Sequence, residues 1–206
     1  MKANIKIRLW LLLLLSASIL TGYAKNIPIE KTPVKIYFSS QQNNSALDFL
    51  KGFFKWYRTK FEYLDHHIQY VDAGYKTNTP YRVNFHETER YLGILKSSGF
   101  FSNIYINNAR SYFKQVDKIL QQTKQSDGTV DALDHDFMMH SHDTKQLFDD
   151  VDKITLTAVN TTPFSATIKV QTPFNQDSYL LYYLTKTGDK YLINKIDFLI
   201  GGVVQK

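Results

Sequence analysis

Between Asp131 and Asp143 the chain reads DALDHDFMMHSHD, which gathers three of its six histidines and four aspartates into one short stretch. Imidazole nitrogens and carboxylate oxygens form a common ligand set for zinc, and they are also the groups that move protons near neutral pH. His140 and His142 stand two residues apart. On an extended segment their side chains point to one side, as two imidazoles chelating one ion do. Asp143, Asp134 or Asp136 would complete the shell, and zinc is the ion this donor set suits. The spacing matches no named zinc pattern. An acid–base reading of the same loop needs a His or Asp turned into a pocket, with its pKa tuned by burial or a neighbouring charge. A third reading needs no chemistry at all: the aspartates cap a short turn around buried Phe137 and Met138.

Outside this loop the reactive groups are sparse. The chain has no Cys, which excludes disulfides, thiolate nucleophiles and Cys-ligated metals. No Gly-rich phosphate loop occurs, and Ser141 lacks the elbow motif of a serine nucleophile. The sequence is rich in rings, with 14 Tyr, 14 Phe and 2 Trp. At helical and strand spacing such residues build a core. Tyr182, Tyr183 and Tyr191 sit on adjacent expected strands, where alternation forces at least one off the core face. A non-covalent ligand site would therefore draw on Asp134 and Asp136 from the loop and on Tyr183 and Tyr191 from the strands.

Helices come first in the chain. Pro28, Pro33 and a polar SSQQNN run make residues 25–44 an extended arm leading to a cap. From Ser45 to about Leu64, Leu47, Leu50, Phe54, Tyr57, Phe61 and Leu64 step by three and four, with a second stripe at Phe49, Phe53 and Trp56. A helix apolar on two sides is wrapped by partners. Residues 65–80 form a connection that holds His66 and His67. A second helix covers about Phe85 to Ser97, with His86 near its start and Gly99 as its left-handed stop. Ser102 caps a third helix whose stripe is Ile106, Ala109, Phe113, Val116 and Leu120, ending at Ser126-Asp127-Gly128.

Beyond the His/Asp loop the period changes from 3.6 to 2. Ile154, Leu156 and Ala158 alternate with polar residues, as do Phe164, Ala166, Ile168 and Val170. Segments 179–186 and 190–198 form a hairpin around Thr187-Gly188-Asp189. Helices followed by an antiparallel sheet of about four strands make an α+β chain, one domain over 45–206.

The first 24 residues read as an address. A basic MKANIKIR, an apolar LWLLLLLSASIL and small residues at Gly22 and Ala24 have the build of a secretory signal peptide cut after Ala24. The apolar stretch is shorter than the ~20 residues a membrane span needs, so the processed chain is expected not to span one. Of the formal charge of +6, this segment carries three basic residues and no acid. The remainder shows no basic stripe, so nucleic acid is not an expected partner.

Three segments carry a family resemblance: the run Phe49-Leu50-Lys51-Gly52-Phe53-Phe54-Lys55-Trp56-Tyr57, the linker Asp134-His135-Asp136-Phe137 through His142-Asp143, and the hairpin from Tyr179 to Asp197. Together they resemble exported bacterial domains of unknown function within the nuclear transport factor 2-like superfamily. The resemblance implies a cone-shaped fold with a concave pocket between sheet and helices. The expected function is a periplasmic or secreted, non-enzymatic binding module of the cell envelope that holds a small molecule or a protein. The alternatives are a periplasmic immunity or other protein-binding protein, and a metal-dependent or acid–base enzyme centred on residues 131–143.

Overall fold

Helix α1 spans Ser40–His67 and begins inside the stretch expected to be an arm. The run from Ser40 to Asn44 contains no Pro or Gly, so a helix nucleated by the ring-rich stripe behind it propagates through these polar residues at small cost. The computed structural model describes residues 40–68, 71–72, 79–126, 128–149, 151–173 and 177–205. The expected signal peptide and the arm up to residue 39 lie outside the described residues. On α1, Leu50, Phe53, Phe54, Tyr57 and Leu64 are buried, while Leu47, Phe49, Trp56 and Phe61 pack half-buried at the flanks. Both expected stripes thus meet partners, and no helix among the described residues is long and apolar enough to cross a membrane.

Val71–Asp72 (β1), inside the region 65–80 read as a plain connection, pairs with Arg82–Val83 (β2) just beyond it as a two-stranded antiparallel ladder. Strands this short have no period to read. Arg82 Nε and Nη2 donate to Asp117 at 2.8 and 2.9 Å, and the Val83 N–H and Gln121 Nε2 donate to the same carboxylate. That set ties β2 to the third helix, and the Arg82 guanidinium holds the Asp117 carboxyl below the usual range.

Helix α2 spans Phe85–Ser97. Asn84 accepts from Glu87 N at its start, and Gly99 at φ 74° follows its end, the left-handed conformation only Gly adopts without strain. Helix α3 spans Asn103–Thr123. Ser102 caps it by accepting from Tyr105 N at 3.1 Å, and it ends at Lys124 in the left-handed region, before the expected Ser-Asp-Gly stop. The link between α2 and α3 docks on the sheet: Ile193 N donates to Phe100 O, and Ser102 N donates to Ile193 O. A six-residue helix α4, Thr144–Asp149, lacks the length to show a stripe, yet Leu147 and Phe148 are buried.

The sheet is an antiparallel meander of five strands in the order β3 (Thr155–Thr161), β4 (Ser165–Gln171), β5 (Ser178–Thr187), β6 (Lys190–Ile200) and β7 (Val203–Gln205). The fold class is α+β, and β7 raises the expected four strands to five. Gly188 at φ 61° makes the β5–β6 turn between paired Thr187 and Lys190. Register shifts between Ala158 and Asn160 and at Tyr183–Leu184 mark bulges, which bend strands locally. Inward residues Ala166, Ile168, Val170, Leu180, Tyr182, Leu184, Tyr191 and Ile193 are buried. Phe164 departs from its expected inward place: it is 75% exposed, because it lies in the turn before β4 begins.

Candidate functional site

The His/Asp loop is built on Asp136. Its Oδ1 accepts from Met138 N at 2.9 Å and Met139 N at 2.6 Å, closing a turn, and its Oδ2 accepts from the Tyr57 hydroxyl of α1. His140 N donates to Asp136 O, and Asp136 N donates to Ser141 O, so the loop closes on itself. Met138 and Met139 are buried, with Phe137 half-buried, and Tyr182 OH donates to Met138 O at 2.5 Å. Burial raises the Asp136 pKa even though three donors pull against it. Burial, then the charge of Asp136, raises Tyr105 and Tyr182.

His140 sits at φ 46°, a left-handed conformation that breaks the extended run on which the two-residue spacing argument depended. Its ring packs 4.1 Å from Phe198 and 4.2 Å from His135, centroid to centroid. His142 instead lies exposed on the rim, with Nδ1 3.1 Å from Asp134 O. Asp143 is exposed at the start of α4, where its Oδ1 lies 3.5 Å from Gln146 N. The expected metal trio of His140, His142 and Asp143 is therefore not brought together. Among the described residues no group of three His, Asp or Glu is placed to hold a metal ion.

Asp134, Asp136, His135 and His142 do share a cleft of about 120 Å³ with Tyr57, Asp65, Tyr91 and Ser141. Asp134 Oδ1 lies 3.1 Å from His135 Nδ1. The two tyrosines of the sheet are elsewhere, and neither lines this cleft. Tyr183 lies half-buried on the face opposite Tyr182, with Lys195 Nζ 5.3 Å from its ring centroid. Tyr191 is buried against Phe49, and its hydroxyl has no hydrogen-bond partner among the described residues.

A second hollow of about 430 Å³ opens between α1 and β3, lined by Leu47, Lys51, Phe54, Lys55, Asp152, Ile154 and Leu156. Lys51 pairs with Asp48 at 3.3 Å on the exposed face, while Lys55 has no acidic partner among the described residues. Sequence reasoning missed this site. The residues from α1 read as a core stripe with its polar flank, and nothing local says that 152–156 come to face them.

No family model matches the chain, and neither a curated protein nor a solved structure matches it. The chemistry open to it follows from its own geometry. In the cleft, Asp136 is held by three donors, two backbone N–H groups on Oδ1 and the Tyr57 hydroxyl on Oδ2. In the hollow, apolar walls meet a charged rim of Lys51, Lys55 and Asp152.

Burial, then the charges of His135 and His142, lowers the His140 pKa to about 4 from 6.5. The folded chain therefore keeps His140 neutral while the unfolded chain takes up a proton, so its contribution to stability is lost as pH falls from 6.5 towards 4. His140→Asn retains a residue that tolerates positive φ and removes the titration. Urea midpoints at about pH 7.5 and about pH 5 should differ more for the parent chain than for this variant; equal differences would contradict the buried placement of the ring.

Proposed function

We propose that this chain is an exported binding module of the cell envelope, holding its ligand without catalysis in the hollow between α1 and β3. The observation that carries the reading is the hollow itself. Its volume of about 430 Å³ falls in the range of ligand sites, and it combines four apolar side chains with Lys51, Lys55 and Asp152. The His/Asp cleft is several times smaller, and its central carboxylate already accepts three hydrogen bonds from the turn and from Tyr57. The tripartite N-terminus supports export, and the family resemblance supports a pocket between helices and sheet.

A ligand suited to these walls is largely apolar and carries a negative group for Lys55 and Lys51. Anilinonaphthalene sulfonate has both features and reports its own burial by fluorescence. One probe per chain is expected to bind. Leu156→Glu, which puts a carboxylate into the apolar wall, should weaken binding by about tenfold or more. Fluorescence that is absent, or unchanged by Leu156→Glu and by Lys55→Glu, would overturn the proposal.

A further inference from the structure

The hollow is bounded by the free edge of the sheet. β3 pairs with β4 on one side, and no described strand pairs with the other. Exposed edges invite pairing with another chain, and proteins blunt them with short strands, Lys or Pro. The opposite edge is blunted in this way, because β7 has three residues. β3 is seven residues long, reads TLTAVNT, and contains no charge and no Pro. Its only interruption is the irregularity at Val159. Near its end β3 presents the apolar Val159 at 59% exposure.

These features lie along one line. The hollow with Ile154 and Leu156 sits at the start of β3, an edge that pairs with no described strand runs along its length, and exposed Val159 sits near its end. On the far wall of the hollow stand Lys51 and Lys55, one turn apart on α1. A strand laid beside β3 alternates its side chains between the two sheet faces, so every second one enters the hollow. Those inward residues meet apolar walls, the ammonium groups of Lys51 and Lys55, and the single carboxylate of Asp152.

We infer that the ligand of this hollow is an extended peptide segment of a partner protein. It adds to β3 as a sixth strand and carries apolar and acidic residues at alternate inward positions. Backbone hydrogen bonds to the edge supply affinity, and the hollow with its lysines selects the sequence. The inference rests on the proposed binding role of the hollow. An acyl chain with an anionic head fits the same walls but leaves the edge unpaired, and the length and neutrality of β3 favour the peptide.

The probe is a fluorescein-labelled heptapeptide, Thr-Val-Thr-Glu-Thr-Val-Thr, with a counterpart that has Lys in place of Glu. Anisotropy titration is expected to show the acidic peptide binding at least about tenfold more tightly than the basic one. The double variant Lys51→Glu/Lys55→Glu, altered only at exposed helix positions, should reverse that order. Amide exchange across Thr155–Thr161 should slow when the acidic peptide is bound. Equal affinity for both peptides, or binding without slowed exchange in β3, would overturn the inference. If anilinonaphthalene sulfonate or dodecanoate binds the hollow while the peptide does not, the peptide inference falls and the binding role stands. If none of the three binds, the binding role falls as well.

Discussion

Asp136→Ala is expected to lower stability by roughly 3 to 5 kcal/mol. The carboxylate satisfies Met138 N, Met139 N and the Tyr57 hydroxyl, and each buried donor left without an acceptor costs about 1 to 3 kcal/mol. Water entering from the adjoining cleft recovers part of that, which keeps the total below the simple sum. Asp136→Asn should cost about 1 kcal/mol or less, because its carbonyl oxygen still takes both N–H groups and the Tyr57 oxygen can accept from the new amide.

The two variants separate geometry from charge. Burial raises the Asp136 pKa above 3.8, so in the window from 3.8 to that raised value the folded chain binds more protons than the unfolded one. Stability from this group is therefore present below the window and falls as pH rises through it. The asparagine variant lacks that slope and should gain on the parent chain as pH rises through that window. His140 tilts stability the other way, so each slope is read more cleanly when the other group is removed. Urea denaturation of all three chains across that range checks both points; an alanine variant as stable as the parent would refute the turn's dependence on Asp136.

Phe53→Ala should be comparably damaging, at roughly 3 to 5 kcal/mol, the usual cost of truncating a buried aromatic. Phe53 is fully buried, stacks on Tyr57 at 5.7 Å, and meets Phe101 edge-on at 5.5 Å and Tyr182 at 5.9 Å. It thus joins α1 to the α2–α3 link and to the sheet at once. Ring pairs add about 0.5 to 1.5 kcal/mol beyond burial, which places the loss toward the upper end. Phe164→Ala, the same change at a ring 75% exposed, should stay within about 0.5 kcal/mol. If Phe53→Ala does not fold, Phe53→Leu should still unfold at measurably lower temperature than the Phe164 variant. Equal midpoints for Phe53→Ala and Phe164→Ala would refute the placement of α1.

The sequence was most legible where neighbours along the chain decide the outcome. Gly99 and Ser102 mark the end of one helix and the start of the next because a positive φ and a cap hydrogen bond are settled within three or four residues. The inward alternation of β4 and the turn at Gly188 were readable for the same reason. Phe164 shows the limit of that reading. It keeps the period of β4 but stands one residue outside the strand, in a turn where its N–H is taken by the Thr162 hydroxyl and its side chain is 75% exposed.

The amino-acid order by itself determined the α+β class, the two capped helices, the doubly apolar α1 and the concentration of His and Asp at 131–143. Only the tertiary structure decided what those groups do. Tyr57 is 79 residues from Asp136 in sequence, so no local pattern could show that its hydroxyl takes up one carboxylate oxygen. A positive φ at His140, whose ring packs on Phe198 from the sheet, breaks the extended run that the two-residue spacing argument assumed. The hollow between α1 and β3 exists because two elements, each with an ordinary pattern, pack side by side without filling the space between Phe54 and Leu156. Local rules set φ, ψ and periodicity, whereas a cavity and a long-range hydrogen bond depend on which distant surfaces meet.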